Sequence, residues 1–157
     1  MEFRRITMEN LFDIVALRVH PHQEHFLGDN TKSILQAYAV ISNGGVALPF
    51  GIYEGDVPVG FIMFGYDVQD PDDPKVAAGN YCIWRFMIDR AHQGRGLGRQ
   101  AARMAINYIR TLSSGEGSLL WLCYEPDNIA AQTLYRKLGF VENGEISDGE
   151  IVAVYRF

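Results

Sequence analysis

The chain has 157 residues, 14 of them Lys or Arg and 19 Asp or Glu, for a formal charge of −5. That length suits a single domain, residues 1–157, able to bury about 70% of the surface its unfolded chain exposes. The 48% apolar content argues against disorder, the longest apolar runs (VPVGFIMF at 57–64) fall short of the roughly 18 residues of a membrane helix, and the charged N-terminus lacks the apolar core of a secretory signal, so the expected compartment is the cytoplasm and no membrane partner is expected.

Residues 2–6 alternate like a short strand, and Thr7 stands where a helix N-cap would, before Leu11, Ile14, Val15 and Arg18 at helical spacing. His20-Pro21-His22 breaks that helix, and a weakly periodic helical segment follows over 31–41, up to the turn at Asn43-Gly44-Gly45. Residues 48–53 and 57–66 read as a β-hairpin turning at Glu54-Gly55-Asp56, with Pro58 tolerated at an edge or a strand start. Residues 67–79 are polar and Pro-rich, an exposed loop, and residues 81–88 form a strongly apolar strand. Beyond a glycine cluster, Leu97, Ala101, Met104, Ala105, Tyr108 and Leu112 recur at helical steps. Residues 119–124 are a buried strand, 128–138 a helix stopped by Gly139, and 140–146 and 150–157 two final strands.

Cys82 and Cys123 lie 41 positions apart with no CxxC or CxxH spacing, so both are read as buried thiols rather than as zinc ligands or a redox pair. The charge is unevenly spread. Residues 1–89 carry 6 basic and 12 acidic groups, 90–115 carry 5 and none, and 116–157 carry 3 and 7. The middle stretch, with Arg90, Arg95, Arg99, Arg103 and Arg110, is a basic island in an acidic chain, which points to a small polyanion rather than to nucleic acid.

That island overlaps Gln93-Gly94-Arg95-Gly96-Leu97-Gly98-Arg99, set between a strand and a helix. Glycines there let backbone approach a ligand closely, and the unpaired N–H groups of a helix's first turn favour phosphate. The loop is neither a Walker A, lacking GK[ST], nor a GxGxxG, because Arg99 stands where the third glycine would be. About thirty residues later comes Asn128-Ile129-Ala130-Ala131-Gln132-Thr133-Leu134-Tyr135-Arg136-Lys137-Leu138-Gly139-Phe140.

Together, Q-x-x-G-x-G and N-x-x-A-x-x-L-Y-x-x-x-G-F, in this order along strand, loop, helix, strand and helix, resemble the GNAT superfamily of acyl-CoA-dependent N-acetyltransferases over essentially the whole chain. The resemblance implies an α/β (α+β) fold with a mixed, mostly antiparallel sheet of about seven strands flanked by about four helices. It implies acetyl-CoA as cosubstrate, with the main chain of Phe86, Met87 and Ile88 pairing with the pantetheine arm and the amides of Gln93, Gly94, Arg95, Gly96, Leu97, Gly98 and Arg99 holding the pyrophosphate. Asn128 would contact the pantetheine or the 3′-phosphate side, and Tyr135 would sit by the sulfur as the acid that protonates the leaving thiolate. Family members are often dimers, and monomer and homodimer both stay open.

The base that takes the amine proton is not fixed by the motif. Glu125, directly after the 119–124 strand, is one candidate, and a solvated loop carboxylate is the other reading. His20, His22 and His25 admit a metal site, a lining of the substrate site or a solvated loop, and no metal is assigned to them; His92 reads as a loop-anchoring or phosphate-facing residue. The expected acceptor side carries Glu24, Asp29, Asp67, Asp70, Asp72 and Asp73, which favours a cationic amine. EHFLGDNTKSILQAY, YCIWRFMIDRAHQGRGLG, YEPDNIAAQTLYRKLGF and GEISDGEIVAVYRF also look like bacterial diamine and polyamine N-acetyltransferases, which would make spermidine, spermine or a related diamine the acceptor. The alternatives are an amine on a protein, peptide or antibiotic, or a non-catalytic acyl-CoA-binding module.

Overall fold

A computed structural model of the chain describes residues 1–67, 73–112 and 118–157. The seven strands of the described residues join one mixed sheet in the order β1-β2-β3-β4-β5-β7-β6. β1 (Glu2–Arg5), β2 (Val46–Glu54), β3 (Val57–Tyr66) and β4 (Tyr81–Ile88) run antiparallel, β4 and β5 (Leu119–Tyr124) are parallel, and β7 (Glu150–Arg156) lies antiparallel between β5 and β6 (Val141–Ser147). This agrees with the expected mixed, mostly antiparallel sheet.

The strand pattern explains the two-sided core. Phe61, Ile62, Met63 and Phe64 of β3 are all buried, and because successive residues point to opposite faces each face receives a pair. Ile62 and Phe64 pack with Phe50, Ile83, Leu120 and Leu122 against the apolar stripe Leu97, Ala101, Ala105, Ile106 and Ile109 of α3 (Leu97–Leu112). Phe61 and Met63 pack with Tyr53 and Met87 against Ile14 of α1 (Leu11–Ala16) and Ala37 of α2 (Asn30–Ser42). Each such side chain contributes about 1.5–3 kcal/mol on burial, so both helical layers are held by the same central strand.

Two local departures from the sequence reading have clear causes. Thr7 does not cap α1: its carbonyl accepts from the N–H groups of Asn10 and Leu11 at 3.2 and 2.9 Å, while Asn10 Oδ1 accepts from the Thr7 N–H at 2.8 Å. That closed turn moves the helix start to Leu11, with Asn10 in the N-cap position. The 67–79 loop contains a short 3₁₀ turn, Lys75–Ala77, whose Ala77 is buried against Cys82 and Trp121. Asp70 and Asp72 lie outside the described residues. Pro58 stands second in β3, at the strand start where a missing N–H is tolerated.

The feature that makes room for a site is in β4. Met63 pairs with Arg85 and Phe64 with Ile83, so Trp84 is an extra residue, a β-bulge that bends the strand. β4 pairs with β5 only at Tyr81–Leu120 and Cys82–Trp121. Beyond those pairs the two strands part, and a cleft opens between them.

Candidate active site

The cleft is a cavity of about 990 Å³ walled by the C-terminal half of β4, the loop into α3, the end of β5, α4 (Ile129–Leu138) and the β6–β7 turn. Phe86, Met87 and Ile88 line it. On its β5 side this half of β4 has no strand partner, an open edge of the kind that an extended ligand arm can join.

The loop after β4 is braced from below. Asp89, which the sequence reading passed over, accepts from the Arg18 N–H at 2.8 Å and the Ala91 N–H at 2.9 Å, tying the loop to the end of α1. Gln93 Nε2 donates to the Ile88 carbonyl at 3.0 Å and to Gln23 Oε1 at 2.9 Å. Gly94 and Gly96 adopt φ of +76° and +79°, the left-handed region that residues with a Cβ rarely occupy. Gln93, Gly94, Gly96, Leu97, Gly98 and Arg99 line the cavity. Open backbone at the N-terminus of a 16-residue helix fits a pyrophosphate in both shape and field.

The basic island is divided by the fold. Arg99 reaches the cavity wall, whereas Arg95 donates to Glu54 at 2.8 Å and its NH1 lies 3.2 Å from the His92 ring, which makes His92 a loop-anchoring contact. Arg110 donates to the Tyr155 hydroxyl at 3.3 Å, some 13 residues or about 20 Å along α3 from its start. The Arg95 side chain is thus paired outside the cavity lining, and Arg110 has no part in the cavity.

Asn128 lines the cavity as the N-cap of α4, its side-chain oxygen accepting from the Ala131 N–H at 3.1 Å. That oxygen holds the helix start, and its amide NH2 group is the side chain's donor. Tyr135 is buried beside Phe140 and Tyr124 and lines the same cavity; burial pushes its phenol well above the usual tyrosine value, so it is fully protonated at neutral pH.

The opposite wall holds four acidic residues among those described: Asp73, Glu125, Asp148 and Glu150. Glu125 is thus in the cavity lining, half-buried. Glu24 and Asp29 are not. Glu24 is exposed on a 3₁₀ turn, Pro21–Phe26, and Asp29 is the N-cap of α2, its carboxylate accepting from the Lys32 N–H at 2.7 Å. Both were expected on the acceptor side, and local capping chemistry accounts for Asp29 instead. Of the histidines, His25 lines the cavity 3.7 Å from Asp127 while His20 and His22 stack on each other at 5.6 Å, and no group of three or more metal-ligating side chains occurs among the described residues.

The sequence reading missed Arg85 and Glu150. Arg85 donates to the Trp84 carbonyl at 2.8 Å and to Gln36 at 3.2 Å, leaving its buried Nε without a partner. Burial lowers its pKa, with Glu150 acting against that. Glu150 is pushed above the usual carboxylate value by burial and by Glu125, with Arg85 opposing. Cys123 is half-buried in this wall rather than in the core, and burial raises its thiol to about 12, so it stays protonated. Cys82 is buried as expected.

Residues 9–140 match the acetyltransferase (GNAT) family. The chain belongs to that family. It is an acetyltransferase, and acetyl-CoA is its cosubstrate. This GNAT acetyltransferase is 32% identical over 158 residues to the spermine/spermidine N(1)-acetyltransferase of Bacillus subtilis (strain 168), with 98% of this chain and 97% of the relative covered. The same figures hold for the probable spermine N(1)-acetyltransferase of Bacillus subtilis subsp. natto (strain BEST195). Among solved structures, aminoglycoside acetyltransferase AAC(6')-Ib in complex with coenzyme A superimposes with a TM-score of 0.76 at 17% identity, covering 98% of this chain and 93% of the other, a likeness of fold.

Proposed function

We propose that this GNAT acetyltransferase acetylates a primary amine of a small cationic acceptor, a polyamine or diamine such as spermidine or spermine, by direct attack with both substrates bound. The observation that carries the proposal is the wall of Asp73, Glu125, Asp148 and Glu150 facing the cleft, which offers a protonated amine several carboxylates at once. The two Bacillus relatives support the same acceptor class.

Acetyl-CoA supplies the activated acetyl group. On this reading the open edge at Phe86, Met87 and Ile88 binds the pantetheine arm, the 93–99 loop takes the pyrophosphate, and Asn128 steadies the arm from the α4 side. Tyr135 gives its proton to the departing sulfur, a role suited to a phenol that burial keeps protonated. An acceptor amine with a pKa near 10.4 costs about 4.6 kcal/mol to deprotonate at pH 7, so a base or a water chain has to take that proton, and Glu125 of the acidic wall is a candidate. The free thiols of Cys82 and Cys123 accord with the cytoplasm as the compartment.

A second reading, an amine on a peptide or an antibiotic, draws support from Arg85. Its buried, unpartnered Nε beside the cavity would suit an acceptor that also carries an oxygen or an anionic group. Thiol release from acetyl-CoA, measured with spermidine, spermine, putrescine, a basic peptide and an aminoglycoside, separates the two. Release with the polyamines is expected. Release only with the peptide or aminoglycoside would select the second reading, and tight coenzyme A binding without release for any amine would leave an acyl-CoA-binding module.

A further inference from the structure

We propose that Glu150, the first residue of β7, is the general base that takes the ammonium proton of the acceptor. This deepens the reading above: it rests on acetyl transfer to an amine in this cavity, but not on which amine that is.

The placement comes from two strand registers. In the β5–β7 pair Tyr124 faces Ile151, so the next positions outward are Glu125 and Glu150. In the β6–β7 pair Ser147 faces Glu150 across the two-residue turn Asp148-Gly149, whose φ angles of +48° and +85° are those of a tight hairpin turn matched to strand twist. Glu150 is therefore fixed at the start of a strand and paired with Ser147 of β6, one position beyond the last β5 pair, whereas Glu125 sits just past the end of β5, where the chain leaves the sheet. Both line the cavity that Tyr135 also lines.

The other groups that could serve are weaker candidates on geometry. β4 runs Tyr81-Cys82-Ile83-Trp84-Arg85-Phe86-Met87-Ile88 and carries no carboxylate. His25 is exposed and lies 3.7 Å from Asp127. The charged groups acting on Glu150 come from each neighbouring element: Glu125 from the end of β5, Asp148 from the turn and Arg85 from β4. Burial and the two carboxylates strengthen Glu150 as a proton acceptor, and Arg85 keeps its ionised form accessible.

The proton balance closes. The ammonium passes one proton to the Glu150 carboxylate, and the freed nitrogen lone pair forms a C–N bond to the thioester carbonyl carbon as the C–S bond breaks. The sulfur takes the Tyr135 proton, the second nitrogen proton restores the phenol, and Glu150 releases its proton to solvent.

The test is the pH profile of Glu150→Gln between pH 6 and 10, using an amine that the wild-type enzyme acetylates, with acetyl-CoA affinity measured alongside. A loss of about 100-fold or more in kcat/KM for the amine is expected at pH 7, shrinking as the pH nears the amine's own pKa of about 10, at unchanged acetyl-CoA affinity. Glu150→Asp should recover part of the loss, and Glu125→Gln should move the acid limb of the profile to lower pH by removing a negative neighbour. A wild-type profile in Glu150→Gln, or a loss of equal size at every pH, would overturn the assignment. In the wild-type protein the Glu150 carboxyl, followed by carbon NMR, should titrate above the usual carboxylate value; a midpoint at or below it would also overturn it. Failure of the polyamine reading looks different, because wild type would then release thiol with another amine of the panel only.

Discussion

The Tyr135 ring lies 6.0 Å from the Tyr124 ring with their planes 29° apart, yet the two phenols are differently placed. Tyr124 donates its hydroxyl to Glu142 at 2.9 Å; burial, helped by that bond, raises the Tyr124 phenol to about 12, and the bond lowers the pKa of Glu142. Tyr135 is the one proposed to meet the thioester sulfur. Tyr135→Phe should therefore lower kcat by about 100-fold or more while leaving the KM for acetyl-CoA within a few-fold. Tyr124→Phe, which loses only the bond to Glu142, should cost about 1 kcal/mol of stability and little turnover. Steady-state kinetics and denaturant unfolding of both variants check this, and near-wild-type kcat in Tyr135→Phe would exclude the phenol as the acid.

The cofactor loop offers a pair of substitutions with different expected costs. A side chain at Gly96 must adopt a φ of +79°, so Gly96→Val strains the turn and obstructs the pyrophosphate, and coenzyme A affinity should fall at least tenfold. At Gly98 an added Cβ meets only Ile88 Cγ1 at 3.7 Å, ordinary contact, so Gly98→Ala should fold with unchanged stability. Calorimetric titration with coenzyme A reads both, and full affinity in Gly96→Val would remove the loop from the phosphate site.

Asp29 is occupied by its own helix. Asp29→Ala should lower stability by about 1 kcal/mol, the usual cost of a lost N-cap, and Asp29→Ser should restore most of it. The KM for the amine should not change in either variant, since Asp29 is absent from the cavity wall. An amine KM that rises with loss of the charge, in both variants alike, would return Asp29 to the acceptor side.

Glu150 also leaves a mark on stability. Burial pushes its carboxyl above the usual carboxylate value because the folded site disfavours the charge, so the fold is not penalised below the unfolded value and is penalised progressively as pH rises through the folded one. Glu150→Gln should accordingly raise Tm relative to wild type at pH 7 to 8, and the difference should close towards pH 4. A Tm lowered by the substitution at pH 7 would mean that Glu150 is held by a favourable contact instead.

The order of elements was legible in the chain because each carries its own local signal: the β-rich runs of β2 and β3 on either side of Glu54-Gly55-Asp56, the stripe on α3, and the Gly139 stop after α4. The segments proposed to hold the cofactor were equally legible as motifs, since Gln93 to Arg99 and Asn128 to Tyr135 lie on continuous stretches of chain. The acidic wall was not. It depends on β7 lying beside β5 rather than next to β6 alone, which brings Glu150 opposite Glu125 from 25 residues away, and on the Trp84 bulge that parts β4 from β5. Charge runs alone did not place side chains: Arg95, Arg110 and Asp29 belong to stretches of the right sign, and their side chains pair with Glu54, Tyr155 and the Lys32 amide. The glycine loop and helix start before α3 could be read from the chain alone, because backbone amides at a helix start follow from local conformation. Which carboxylates line the cleft together was decided only by strand register, a long-range pairing that local composition does not encode.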